Sequence, residues 1–146
     1  MPAAVESDRA QLAGRLRLAV TRLNRRLRQE AGTGLSATAE SYLATIARRG
    51  PISMGELAAH EGVKPPSVCA TLNGLEAQGL VSREGDPSDR RVSRVVATPG
   101  GRQALERSRG RKTAYLAARM ATLGEAELAV LGDATAILER LIEEAR

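Results

Sequence analysis

Leu12, Leu16, Val20, Leu23 and Leu27 recur at steps of four, four, three and four. That spacing predicts an α-helix over residues 8–30 with one apolar stripe. Arginines fill its other faces, and Gly32 and Gly34 end it. Ser36 stands as N-cap of a second helix, with Tyr42, Leu43 and Ile46 inward and a stop at Gly50-Pro51. Ser53 and Glu56 then form an S-x-x-E capping box, flanked by Ile52 and Leu57 at the positions of a hydrophobic staple. The helix they open is short, because Gly62 follows Glu61. Pro65 and Pro66 suit the first turn of the next helix, where a missing amide hydrogen costs nothing. Val68, Leu72 and Leu75 form its buried face, and Gly79 closes it.

The period changes after Gly79. Leu80–Arg83 and Val92–Val96 read as two short strands around a polar turn, Gly85–Arg91. Thr98 and Pro99 begin a long helix that reaches Thr122 and carries Leu105, Tyr115, Leu116 and Met120. A last helix covers residues 125–144, with Leu128, Leu131, Leu138 and Leu141 expected inside. The predicted order is four helices, a β-hairpin and two helices, mainly α, in a single domain of residues 1–146.

Two short helices joined by a Gly-containing turn, residues 53–78, make a helix-turn-helix, and the basic hairpin after it makes the motif winged. Such a second helix lies in a DNA major groove with its N-terminal turn nearest the bases. With Val68, Leu72 and Leu75 inward, Pro66, Ala70, Asn73 and Ala77 face outward, flanked by Ser67 and Gly74. That face is small and nearly uncharged, so DNA can approach it closely.

Composition agrees with an anionic partner. The 146 residues carry a formal charge of +5, and only Lys64 and Lys112 among the 22 basic residues are lysines. One cysteine, Cys69, and one histidine, His60, provide neither a disulfide nor a zinc cluster. No metal or cofactor is expected. No nucleophile, base and orienting group stand together, so the chain does not read as an enzyme. With Tyr42 and Tyr115 as the only aromatics, base stacking on aromatic platforms is disfavoured. Residues 1–11 hold Glu6, Asp8 and Arg9 in place of a signal-peptide apolar run, and no stretch approaches bilayer length, so a cytoplasmic protein is expected.

The residues Gly79-Leu80-Val81-x-Arg83, Asp86-Pro87-Ser88-Asp89-Arg90-Arg91 and Thr98-x-x-Gly101, with Leu75-Glu76 and Glu56-Leu57-Ala58 before them, resemble the multiple-antibiotic-resistance regulator (MarR) family. The likeness spans essentially the whole chain, and Asp89-x-Arg91 is its most specific part. It implies a winged helix-turn-helix lobe over residues 36–98 and dimerisation helices over 8–34 and 99–146. It implies a homodimer on palindromic double-stranded DNA, with wing arginines in the minor groove and a small-molecule effector that releases a repressor. The family often has an arginine in mid recognition helix, where this chain has Ala70 and Gly74. Lys64, Pro66, Ser67, Ala70, Thr71 and Asn73 are the expected recognition contacts, with Ser67, Thr71 and Asn73 as base readers. In the wing Arg90 and Arg91 are the expected contacts, and Asp89 is expected to hold Arg91 by a bidentate fork or to act as a simple turn former. Tyr42 and Tyr115 are candidate effector-pocket residues. Cys69 reads as a small helix residue in preference to a redox switch, and His60 as a phosphate-facing or solvated side chain. The arginines of the first helix pair with acids such as Glu143 and Glu144 across a dimer or face solvent. A sequence-tolerant architectural DNA-binding protein is the alternative.

Overall fold

The computed structural model describes residues 2–143, with side chains from Glu6 onward; Glu144 lies outside the described residues. Among the described residues six helices and three strands follow one another: α1 (Pro2–Ala31), α2 (Ala37–Arg49), β1 (Ile52–Ser53), α3 (Met54–Glu61), α4 (Pro65–Ala77), β2 (Val81–Gly85), β3 (Ser93–Ala97), α5 (Pro99–Met120) and α6 (Glu125–Glu143). α1 begins earlier than its apolar stripe, because Ala3 and Ala4 favour helix without adding to the period. The chain divides into two compact units, one through Lys112 and one from Thr113, so the division falls inside α5.

The first unit holds the core. Leu43 and Ile46 of α2, Leu57 of α3, and Val68, Leu72 and Leu75 of α4 are buried against Val81 and Val95 of the sheet. Removing a side chain of this kind costs about 2–5 kcal/mol. The sheet is antiparallel in the order β1-β3-β2. Its hairpin register sets Val81 opposite Ala97 and Gly85 opposite Ser93. The third strand, β1, corrects the two-stranded expectation: Ile52 pairs with Val95 while it also staples α3. Two residues are too few to show a strand period.

Two side-chain clusters brace the helices. Glu40 of α2 accepts hydrogen bonds from Lys112 Nζ at 2.6 Å and from the buried Ser108 hydroxyl of α5. Burial alone would raise the Glu40 pKa, but hydrogen bonds from Lys112 and Ser108, with the charges of Lys112 and Arg28, lower it. Glu61 of α3 accepts from Thr45 Oγ1 at 2.6 Å and Ser41 Oγ at 2.8 Å. Thr98 caps α5: its hydroxyl accepts from Gly101 N–H at 3.0 Å and donates to the Gly79 carbonyl at 2.6 Å.

α6, in the second unit, departs from expectation. None of its residues is buried in this chain. Leu128, Leu131 and Leu141 are exposed and Leu138 half-buried, although the sequence pattern points them inward. Periodicity reports an apolar face; it does not report which chain covers it. On α1, Leu12, Leu16, Val20 and Leu23 are likewise exposed.

Candidate nucleic-acid interface

The helix pair starts from the capping box. Ser53 N–H donates to Glu56 Oε2 at 2.7 Å, and Glu56 N–H donates to Ser53 Oγ at 3.2 Å. The α3 chain stops at Gly62, whose φ of +66° is left-handed and open to glycine at little cost. Val63 N–H closes the turn on the Ala58 carbonyl at 3.0 Å. α4 then begins from Lys64 as N-cap with the two prolines in its first turn.

Burying Val68, Leu72 and Leu75 leaves Lys64, Pro66, Ser67, Ala70 and Asn73 exposed along α4, with Cys69, Gly74 and Ala77. Thr71 is half-buried, which makes it less open than its neighbours. His60 is exposed in the last turn of α3. A cavity of about 520 Å³ separates α4 from the wing, lined by Met54, Cys69, Leu72, Arg83, Arg91 and Val95 among others. From the cavity wall, Arg83 of β2 reaches back to α4: its Nη1 lies 3.2 Å from Glu76 Oε2 and its Nη2 donates to Asn73 Oδ1 at 2.6 Å.

The wing loop is built on Asp86. Its carboxylate, nearly buried, accepts from Ser88 N–H at 2.8 Å, Ser88 Oγ at 2.6 Å and Asp89 N–H at 3.3 Å. Arg94 Nε sits 2.5 Å from its other oxygen. The Ser88 hydroxyl first and the Arg94 guanidinium second hold the Asp86 carboxyl far below the usual carboxylate range. Arg94 is a hub. Its Nη1 also reaches Glu56 Oε2 at 3.1 Å and the Pro51 carbonyl at 3.3 Å. The same glutamate therefore caps α3 and ties the wing to it; the Ser53 amide, its strongest influence, and Arg94 together lower its pKa.

Asp86 and Arg94 escaped the sequence reading of contacts. Asp-Pro-Ser marks a turn former, but nothing local links that carboxylate to an arginine eight residues on. The fork expected between Asp89 and Arg91 is absent. A single Nε–Oδ1 approach of 3.4 Å joins the side chains, while the same oxygen accepts the Arg91 backbone N–H at 3.0 Å. Two residues apart, the backbone amide reaches the carboxylate first, so Asp89 shapes the turn and holds the guanidinium only loosely, through Nε alone. The Arg91 side chain is 93% exposed, and Arg90 beside it is exposed too.

The two tyrosines have separate settings. Tyr42 is sealed in the core of the first unit at 3% exposure. Tyr115, in the second, is half-buried, with the Arg119 guanidinium 5.3 Å from its ring centre. Among the described residues no group of three His, Cys, Asp or Glu could hold a metal ion. No described helix is long and apolar enough to cross a membrane.

The family profile described as "MarR family" matches residues 35–93. The chain is 35% identical to the uncharacterized HTH-type transcriptional regulator Mb0904 of Mycobacterium bovis, over 96% of this chain and 98% of that protein. A candidate transcriptional regulator from Pseudomonas aeruginosa has a similar crystal structure, with TM-score 0.83 and 36% identity over 92% of this chain and 96% of that one. A MarR family protein from Bacillus stearothermophilus shares the fold at TM-score 0.78 with 20% identity, over 94% and 97% of the two chains.

Proposed function

The chain belongs to the MarR family of DNA-binding HTH-type transcriptional regulators, and from that premise we propose that it is a homodimeric repressor of a palindromic operator. The observation that carries the reading is the pairing of an uncluttered α4 face with a 93% exposed Arg91 on a braced wing. In this reading Lys64, Pro66, Ser67, Ala70, Thr71 and Asn73 meet the major groove, and Arg90 and Arg91 meet the backbone and minor groove of the same half-site. Narrow A·T-rich minor grooves concentrate negative potential, which a loosely held guanidinium exploits. Asp89 sets the direction in which the Arg91 backbone leaves the turn.

The dimer rests on the bare apolar faces. Val130, Leu141 and Ile142 of α6 and Leu12 and Val20 of α1 are each half exposed or more in the single chain. Apolar helix faces left bare to that extent mark an interface. Residues 8–34 and 99–146 would supply it, leaving 36–98 as the DNA-binding lobe, and two-fold symmetry in the protein calls for a palindrome in the DNA. Release by an effector is the regulatory half of the proposal. A cavity of about 300 Å³ among α1, α2 and α5, with Arg28, Glu40, Arg109 and Lys112 on its walls, has the size and charge for a small anion. Of the tyrosines, Tyr115 has the accessible ring, whereas Tyr42 is reached only if the core opens.

Selection of bound sequences from a random duplex pool tests this. The expected result is an enriched palindrome with half-sites about one helical turn, ~34 Å, apart. Binding without an enriched sequence would overturn the operator reading in favour of a sequence-tolerant architectural protein, and absence of binding would overturn both.

A further inference from the structure

Asn73 stands on the exposed face of α4, and its carboxamide is not free to turn. Arg83 Nη2 donates to Asn73 Oδ1 at 2.6 Å. A guanidinium has donors only, so the atom that faces it must be the carbonyl oxygen and not the amide nitrogen. Glu76, three residues along the same helix, holds Arg83 in place at 3.2 Å. The donor end of Asn73 has one weak contact, Nδ2 to Cys69 Sγ at 3.9 Å, and thiol sulfur is a poor acceptor.

What an asparagine reads in the major groove depends on having both ends. The adenine pairing needs the carbonyl to accept from N6–H while the amide donates to N7. Here the carbonyl is already engaged in a charge-assisted bond, which is stronger than a neutral one. The carbonyl keeps one lone pair, but with a cation already bound to it the two N–H donors are the more open end, and they suit a base edge that offers acceptors. Guanine sets two acceptors, N7 and O6, side by side, whereas thymine offers O4 alone beside a methyl group and adenine puts a donor next to its N7. Resting on the reading that α4 binds operator DNA, we infer that Asn73 reads guanine and not adenine in each half-site. Arg83 is the positioning residue that imposes the choice.

The test is sequence selection from a random duplex pool with wild type, Asn73→Ala and Arg83→Met, the last keeping an unbranched apolar stem while removing every donor. An enriched palindrome from the wild type establishes operator binding independently of this inference; no palindrome overturns both. Asn73→Ala should relax one position in each half-site and so identify the base it reads. The wild type should show guanine there, and Arg83→Met should move that position toward adenine by about tenfold in relative affinity. Loss of Arg83 as a mere phosphate contact or brace would weaken all sequences alike and leave the preference unmoved. Adenine at that position in the wild type, no relaxed position in Asn73→Ala, or unchanged guanine preference in Arg83→Met each overturns the inference. Should Arg83→Met fold poorly, Arg83→Ala takes its place in the same selection, with the same shift toward adenine expected and an unchanged guanine preference overturning the inference.

Discussion

Gly101→Ala is a sharp test of how α5 is fastened to the winged lobe. A Cβ built on Gly101 would lie 2.0 Å from the Leu80 carbonyl oxygen, 3.0 Å from the Leu80 carbonyl carbon and 3.2 Å from Leu43 Cδ1. The oxygen is backbone and cannot step aside as a side chain would. Real Cβ atoms essentially never come within 3.0 Å of another group, so the start of α5 and the turn that leads into β2 must separate by about 1 Å. The same carbonyl accepts from Thr98 N–H at 3.1 Å, and Thr98 Oγ1 donates to the Gly79 carbonyl at 2.6 Å. Separation therefore stretches two hydrogen bonds at the start of α5, each worth about 0.5–1.5 kcal/mol net. Overpacking adds about 1–3 kcal/mol. Better helix propensity returns only about 0.5–1 kcal/mol. The expected net loss is about 3 kcal/mol, from these terms taken at mid-range. Gly74→Ala is the control. It is also helical, but nothing lies within 4 Å of its added Cβ, so it should stabilise by about 0.5–1 kcal/mol. Urea unfolding followed by far-ultraviolet circular dichroism, at one protein concentration for all variants, measures both. The reasoning fails if Gly101→Ala falls within about 0.5 kcal/mol of wild type, the range of an ordinary surface change.

Arg91→Ala should cost about 1–3 kcal/mol of operator binding per wing and leave the melting temperature nearly unchanged, read by titration at fixed salt alongside thermal unfolding. Asp89→Ala should also weaken binding, and the double variant should bind barely worse than Arg91→Ala because both remove one contact; tighter binding by Asp89→Ala would make that carboxylate a plain electrostatic penalty. Asp86, whose pKa is lowered in the folded state, stabilises the fold above its unfolded value of about 4 and loses that contribution as pH falls toward the folded one. Asp86→Asn should thus be less stable than wild type at pH 7, with a gap that narrows between about pH 5 and 3 in urea titrations; a constant gap would refute the linkage. Deleting residues 126–146 should give a monomer or an aggregate with little DNA affinity by light scattering and titration, and a soluble truncation that binds normally would remove α6 from the interface.

Most helices were legible because three- and four-residue spacing is local and the caps are chemical. Ser36, the Ser53–Glu56 box and Pro65-Pro66 mark helix starts within a residue or so of where they occur. What the sequence concealed depends on pairings across distance. β1 exists because Ile52 meets Val95, forty-three residues later, and no alternation within two residues announces it. Asn73 was readable as exposed but not as held, since its partner Arg83 arrives from the next element. The α6 stripe was readable as apolar, but only a covering surface could say what buries it.

Arg91 and Arg94, three residues apart in the wing, show how far environment outruns residue type. Arg94 is fixed by Asp86, Glu56 and the Pro51 carbonyl, so the loop, the sheet and the first turn of α3 share one cation. Arg91 has only a 3.4 Å approach to Asp89 and projects into solvent. An arginine free to move loses side-chain entropy when it binds, about 0.5–1.5 kcal/mol, whereas a loop already ordered loses little more. Bracing the loop through Arg94 thus confines the entropic cost of wing binding to the guanidinium that does the binding. The same division explains why Arg91 substitutions should act on affinity with little effect on stability. Changes at Asp86 or Arg94 should act on both, because they loosen the platform from which Arg91 reaches out.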